Sequence, residues 1–206
     1  MIADKDIREA EQNLKRYFED ELLKKNPAHA QFVKFYVNNS KMSLQLSSYL
    51  LKLSTDAETK KSAGFPEDFE CLLWVIVTSY YSMFYIANAA MAKLGLKVGE
   101  KIAHKITQDV LLVYFIKNNR LAKSLLEDYK TTKSEVLGLM NIGEEELMKE
   151  FQVKAKELIA TFGHQRERRG EFQYDITKTA KEHVALLSLE RAKNFIQEMT
   201  KIIEKP

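Results

Sequence analysis

Apolar residues along this chain recur at helical rather than strand spacing. Over residues 4–25, Ile7, Leu14, Phe18 and Leu22 return to one side of a helix, with Asp6 and Glu9 offering a capping-box start and Asn26-Pro27 a stop. The next segment carries Phe32, Phe35, Tyr36, Met42, Leu46, Tyr49, Leu50 and Leu53 on one stripe. Polar and turn residues then take over in STDAETKKSAGFPED, residues 54–68, which reads as a mobile loop. Residues 69–94 are apolar on nearly every face, the pattern of a helix surrounded by others, and Ala87, Ala89, Ala90 and Ala92 permit close packing.

After the turn LGLKVGEK, Ile102, Ile106, Val110, Val113 and Tyr114 mark another helix ending near Asn118-Asn119, and a shorter piece runs through Leu121, Leu125 and Tyr129. The segment GEEELMKEFQVKAKELIATFGHQRERRGEFQ opens on glutamates and closes on arginines, the charge order that complements a helix dipole. Its apolar stripe of Leu147, Phe151, Ala155, Leu158 and Phe162 stops short of the arginines. Asp175 can cap a final helix whose buried face carries Ala180, Val184, Leu187, Phe195, Met199 and Ile202. No strand pattern, fixed-period repeat or low-complexity tract is evident. The pattern predicts an all-α fold, an antiparallel bundle of about six or seven helices.

Composition agrees with the pattern. At 206 residues the chain suits one domain, and 7 glycines with 3 prolines are few for that length. The single cysteine, Cys71, excludes an internal disulfide and fits a reducing compartment, the cytoplasm. Net charge is +3, from 32 basic and 29 acidic residues, too balanced to announce a nucleic-acid binder by itself. The charged opening MIADKDIREAEQNLKRYF lacks the apolar stretch of a secretory signal. CLLWVIVTSYYSMFYIANAAMA, residues 71–92, is long enough to span a bilayer, but Thr78, Ser79, Tyr80, Tyr81, Ser82, Tyr85 and Asn88 dilute it, so a buried core helix without membrane contact is expected.

Several chemistries find no support. The paired Glu-x-x-His ligands of carboxylate-bridged metals are missing, and His29, His104 and His183 each lack a companion histidine, so no metal or cofactor is expected and each reads as solvated or locally bonded. Neither a GxxxxGK[ST] loop nor GxGxxG occurs, and Cys71 sits where a thiolate is disfavoured. What remains is HQRERRGEFQYD, residues 164–175. Arg166, Arg168 and Arg169 offer guanidinium groups for phosphate oxygens, His164 lies one turn before Arg168, and Phe172 and Tyr174 can stack on bases. Basic residues at a helix end also simply complement the dipole and pair with Glu167 or Glu171, and both readings stand.

Two regions resemble the HEPN family of helical, RNA-directed and nucleotidyltransferase-associated domains. SYYSMFYIANAAMAKLGLKVGEKIAHKI is similar to the family's tyrosine- and alanine-rich helix, glycine turn and the His-Lys that opens the next helix. KAKELIATFGHQRERRGEFQYDITKTAKEHVALLSLERAKNFIQEMTKII is similar to its arginine-bearing helix end, Tyr-Asp break and alanine-spaced last helix. The resemblance implies one domain over residues 1–206, with 1–27 an N-terminal helical extension and 28–206 the core bundle. It further implies a homodimer, a small nucleotidyltransferase partner in a toxin-antitoxin or defence pair, and RNA or nucleotide at Arg166, Arg168, Arg169, Phe172 and Tyr174.

RNA-cleaving members use arginine, four to six residues, then histidine, the histidine as general base and the arginine on the phosphate. Here five residues after Arg166 lead to Phe172, and four after Arg169 lead to Tyr174. Neither frame supplies histidine, and phenylalanine cannot exchange a proton. The catalytic candidates are therefore Arg169, Tyr174 and His164, in a chain expected to bind rather than cut. A metal-independent endoribonuclease and a plain helical interaction module are the alternatives. In some members the motif tyrosine accepts a nucleotidyl group, and Tyr174 holds that place in the Arg166 frame.

Overall fold

The computed structural model describes residues 2–99, 102–140 and 178–205. The all-α expectation holds: these residues form seven α-helices and one small two-stranded sheet. In chain order they are α1 (Asp4–Glu19), β1 (Leu23–Lys25), a 3-10 segment (Pro27–Phe32), α2 (Val33–Thr55), α3 (Ala57–Ser62) and α4 (Leu72–Lys93). Then follow β2 (Leu96–Val98), α5 (Ala103–Val110) running into a π-helical stretch (Leu111–Ile116), α6 (Lys123–Met140) and α7 (Lys178–Glu204).

Helix α4 is the axis of the molecule. Val75, Tyr80, Met83, Ala87, Ala89 and Met91 are all essentially without exposure, so the helix is apolar all round because protein covers it all round. It is long and apolar enough to cross a membrane, and most of that length is buried among the other helices. Of its polar residues, Thr78 and Asn88 donate back to the carbonyls of Trp74 and Phe84 one turn earlier, which satisfies them inside the core.

The packing of α2 on α4 corrects the simple stripe reading. Phe35, Met42, Leu46 and Tyr49 face solvent, whereas Ser40, Ser47, Leu50, Leu53 and Ser54 are buried. The three serines recur every seven residues and act as small polar knobs against α4. Ser40 Oγ donates to the Ser82 carbonyl at 2.8 Å, and Ser47 Oγ to the Val75 carbonyl at 2.9 Å. Since the one Ser47 proton is committed there, the 2.7 Å contact between Ser47 Oγ and Ser79 Oγ requires Ser79 to donate. Cys71 N donates to Ser54 Oγ at 3.0 Å. Rising numbers on α2 thus meet falling numbers on α4, so the two helices are antiparallel. Small side chains let the backbones approach closely, and each hydrogen bond contributes about 1 kcal/mol net.

Helix α6 meets α7 in the same antiparallel sense, through Glu135 with Ser188 and Arg191, and Asp128 with Arg191. On α7, Phe195 and Met199 are buried as expected, joined by Ala185, Ser188, Leu189, Ala192 and Ile196, while Val184, Leu187 and Ile202 are half-buried. The stretch 54–68 contains the helix α3 rather than loop alone: Asp56 caps it by accepting from Thr59 N at 2.8 Å, and Lys60 is buried with its Nζ on the Glu67 carbonyl.

Two strands escape the sequence pattern. β1 and β2 pair antiparallel, Leu23 opposite Val98 and Lys25 opposite Leu96. The ribbon is closed by Asn26 N on the Gly95 carbonyl and Gly99 N on the Leu22 carbonyl, each at 2.8 Å. Gly95 has φ +75°, and a Cβ there would lie 3.0 Å from the Asn26 carbonyl oxygen, so this tight approach needs glycine. The ribbon delivers α1 to α5 and the π stretch, where Ala10, Leu14 and Tyr17 join the same hydrophobic core as α4.

Candidate functional site

The residues singled out for RNA or nucleotide, Arg166, Arg168, Arg169, Phe172 and Tyr174, and the alternative base His164, all lie outside the described residues. The described element next to them is α7, which begins at Lys178, four residues after Tyr174. Its described part packs on α4 and α6.

A polar cluster that sequence reasoning missed lies where α4, α5 and α6 meet. Tyr80 Oη is 2.7 Å from His104 Nδ1 and 3.3 Å from Tyr129 Oη, and the Tyr80 ring lies next to both, with centroids 5.4 Å from His104 and 5.5 Å from Tyr129. Phe84 covers the imidazole at 4.3 Å between ring centroids. His104 is 1% exposed, so it is neither solvated nor locally bonded but tied to a residue on a different helix. Helix α5 is entered through Ile102 in the left-handed region, φ 47°, a costly conformation for a β-branched residue.

The electrostatics of this cluster follow from burial and one cation. Removal from water pushes the His104 imidazole down to about 3, with the Lys133 ammonium acting in the same direction. Lys133 Nζ donates to Gln108 Oε1 at 2.8 Å. On the next turn, Asp109 accepts from Tyr17 Oη at 2.9 Å and Asn13 Nδ2 at 3.1 Å. Its carboxyl is raised by burial, against the opposing pull of those hydrogen bonds and of Lys105 and Lys133. Three further buried atoms, His104 Nε2, Thr107 Oγ1 and Thr132 Oγ1, have no hydrogen-bond partner among the described residues. Thr107 lies one turn beyond His104 on α5, and Thr132 one turn beyond Tyr129 on α6.

No family model, no curated protein and no solved structure matches the chain. A neutral imidazole with so low an affinity for protons, shut off from solvent, lacks both the basicity and the access that a general base needs. The cluster positions three helices instead. Burial likewise pushes the Cys71 thiol up, which keeps it protonated and poorly nucleophilic. Among the described residues no group of three or more His, Cys, Asp or Glu side chains could hold a metal ion.

Two surface features stand apart. One is a cleft lined by Lys93, Asn119, Arg120, Lys205 and the apolar Phe115 and Ile202. Lys93 is already committed there, donating to the carbonyls of Ile203 and Lys205 at the end of α7. The other is the exposed row Phe35, Met42, Leu46 and Tyr49 on α2.

Proposed function

We propose that this chain is a HEPN-like helical protein that binds RNA or nucleotide, as the partner of a small nucleotidyltransferase in a toxin-antitoxin or defence pair, and that it cleaves little or nothing itself. The observation that carries the reading is a juxtaposition in sequence and fold. The run HQRERRGEFQYD ends three residues before the start of a 27-residue helix, in an all-helical bundle of the kind the resemblance implies. Guanidinium groups supply bidentate phosphate contacts, and Phe172 and Tyr174 supply faces for bases. Support for binding over cutting comes from the proton chemistry: neither Arg166 nor Arg169 is followed by histidine at the cleaving distance, and His104 is neutral and sealed in the core.

The test is fluorescence anisotropy with single-stranded RNA oligonucleotides and with ATP analogues over a salt series, with RNA cleavage followed in EDTA. The triple variant Arg166→Ala, Arg168→Ala, Arg169→Ala should lose binding and lower the log–log salt slope by about 2, since each released phosphate contact on a single strand accounts for about 0.7. Arg120→Ala, in the cleft between Lys93 and Lys205, should change neither. Unaltered binding by the triple variant would refute the site. Cleavage in EDTA that His164→Ala abolishes would replace this reading by that of an active endoribonuclease.

A further inference from the structure

Four of the five exposed large apolar side chains among the described residues lie on α2, Phe35 58%, Met42 67%, Leu46 48% and Tyr49 51%, the fifth being Leu186 on α7. Their spacing of seven, four and three residues is that of a helical seam. On a helix turning about 100° per residue they fall within about 60° of arc and extend about 21 Å. Half-exposed side chains of this size present roughly 100 Å² each, so the row offers roughly 400 Å². A contiguous apolar patch of that size marks an interaction site more often than chance exposure does.

Charge narrows the occupant. Between Val33 and Thr55 there is no aspartate or glutamate, whereas Lys34, Lys41 and Lys52 are all exposed and fall on one flank of the apolar row. None of the three makes an ion pair within 4 Å among the described residues, although Asp56 does lie close enough to Lys52 to feel its charge. An antiparallel two-fold contact of this row with itself would set lysine flank against lysine flank, and in either orientation roughly 400 Å² is about half of what each partner contributes to a standard stable interface. A single amphipathic helix needs no more than this strip. The central Met42 and Leu46 are aliphatic and offer no stacking face, which favours a peptide over a nucleic-acid strand.

We infer that the exposed Phe35–Tyr49 face of α2 is a docking strip for an acidic amphipathic helix of another protein, whose apolar side meets Phe35, Met42, Leu46 and Tyr49 and whose carboxylates meet Lys34, Lys41 and Lys52. The inference is independent of the arginine segment, so either can fail alone.

The experiment uses the full chain and three fluorescein-labelled helical peptides of about 21 residues, matched in apolar face and flanked by glutamate, lysine or glutamine. The glutamate peptide should bind, the lysine peptide should bind at least ten-fold more weakly, and Met42→Asp with Leu46→Asp should abolish binding. Both positions are exposed, so these variants should keep the wild-type helical circular dichroism and melting temperature. Lys34→Glu with Lys41→Glu should reverse the preference between the charged peptides. Equal binding of the three peptides, or binding that survives the double aspartate variant, overturns the proposal. So does a dimer, seen by light scattering, that Met42→Asp with Leu46→Asp dissolves, because a second copy is then the occupant. Displacement of the glutamate peptide by single-stranded RNA in a manner lost with Phe35→Ala and Tyr49→Ala would assign the face to nucleic acid instead.

Discussion

Acidification should loosen this protein through one imidazole. His104 is 1% exposed and its folded-state value lies near 3, against about 6.5 in an unfolded chain. A folded value below the unfolded one means that under mildly acidic conditions the unfolded chain takes up a proton that the folded protein refuses. The stability associated with the neutral imidazole is therefore full above pH 6.5 and is lost as pH falls from there toward 3. At pH 5 the loss is about 2 kcal/mol, from one and a half pH units at about 1.4 kcal/mol each. For a chain of this size that corresponds to a fall in Tm of about 4–8 °C. Asp109 contributes with the opposite sign, because its raised carboxyl binds its proton more readily when folded. Comparison with His104→Gln isolates the imidazole, since glutamine fills similar space, keeps a polar group for Tyr80 Oη and does not titrate. Urea unfolding at pH 8.0, 6.5 and 5.0, followed by circular dichroism, should show wild type losing about 2 kcal/mol more than the variant between the extremes. Parallel pH dependences would refute the buried neutral histidine and the cluster built on it.

Two further changes probe how the elements are held. Asp109→Ala removes the acceptor shared by Tyr17 and Asn13 and should cost about 2 kcal/mol in urea unfolding, whereas Asp109→Asn keeps an acceptor oxygen and should cost less than half as much; equal costs would show that the charge rather than the hydrogen bonds secures α1. Gly64→Ala and Gly95→Ala both place alanine at φ near +75°, but only at Gly95 does the new Cβ meet backbone, at 3.0 Å. The first should cost about 1 kcal/mol and the second about 2–3 kcal/mol by the same method, and identical values would argue against a tight ribbon.

Helix α4 was legible from sequence because a run apolar on every face but diluted by Thr78, Ser79, Ser82 and Asn88 suits the middle of a bundle better than lipid. The strands were not, since three residues are too few to display an alternation. On α2 the apolar periodicity marks a real stripe, but the hydrogen bonds to α4 come from serines at seven-residue intervals, which a hydrophobicity pattern passes over. His104 was visible as a residue and not as a core group, because only the fold brings Tyr80 and Tyr129 to it from 24 and 25 positions away. The arginine segment was legible as chemistry in HQRERRGEFQYD, and its residues lie outside those the structure describes.

The ribbon between Leu23–Lys25 and Leu96–Val98 has a consequence for the order in which the protein assembles. Helix α1 leaves the ribosome before the rest of the bundle, yet β2, which pairs with the strand that follows α1, and the α5 surface that covers Ala10, Leu14 and Tyr17 are made some eighty to a hundred residues later. At about 5–20 residues per second that is an interval of several seconds or more. Meanwhile α2 and α4, joined through α3, can already close on each other, so a hairpin of serines and alanines is available before the surface on which α1 docks exists.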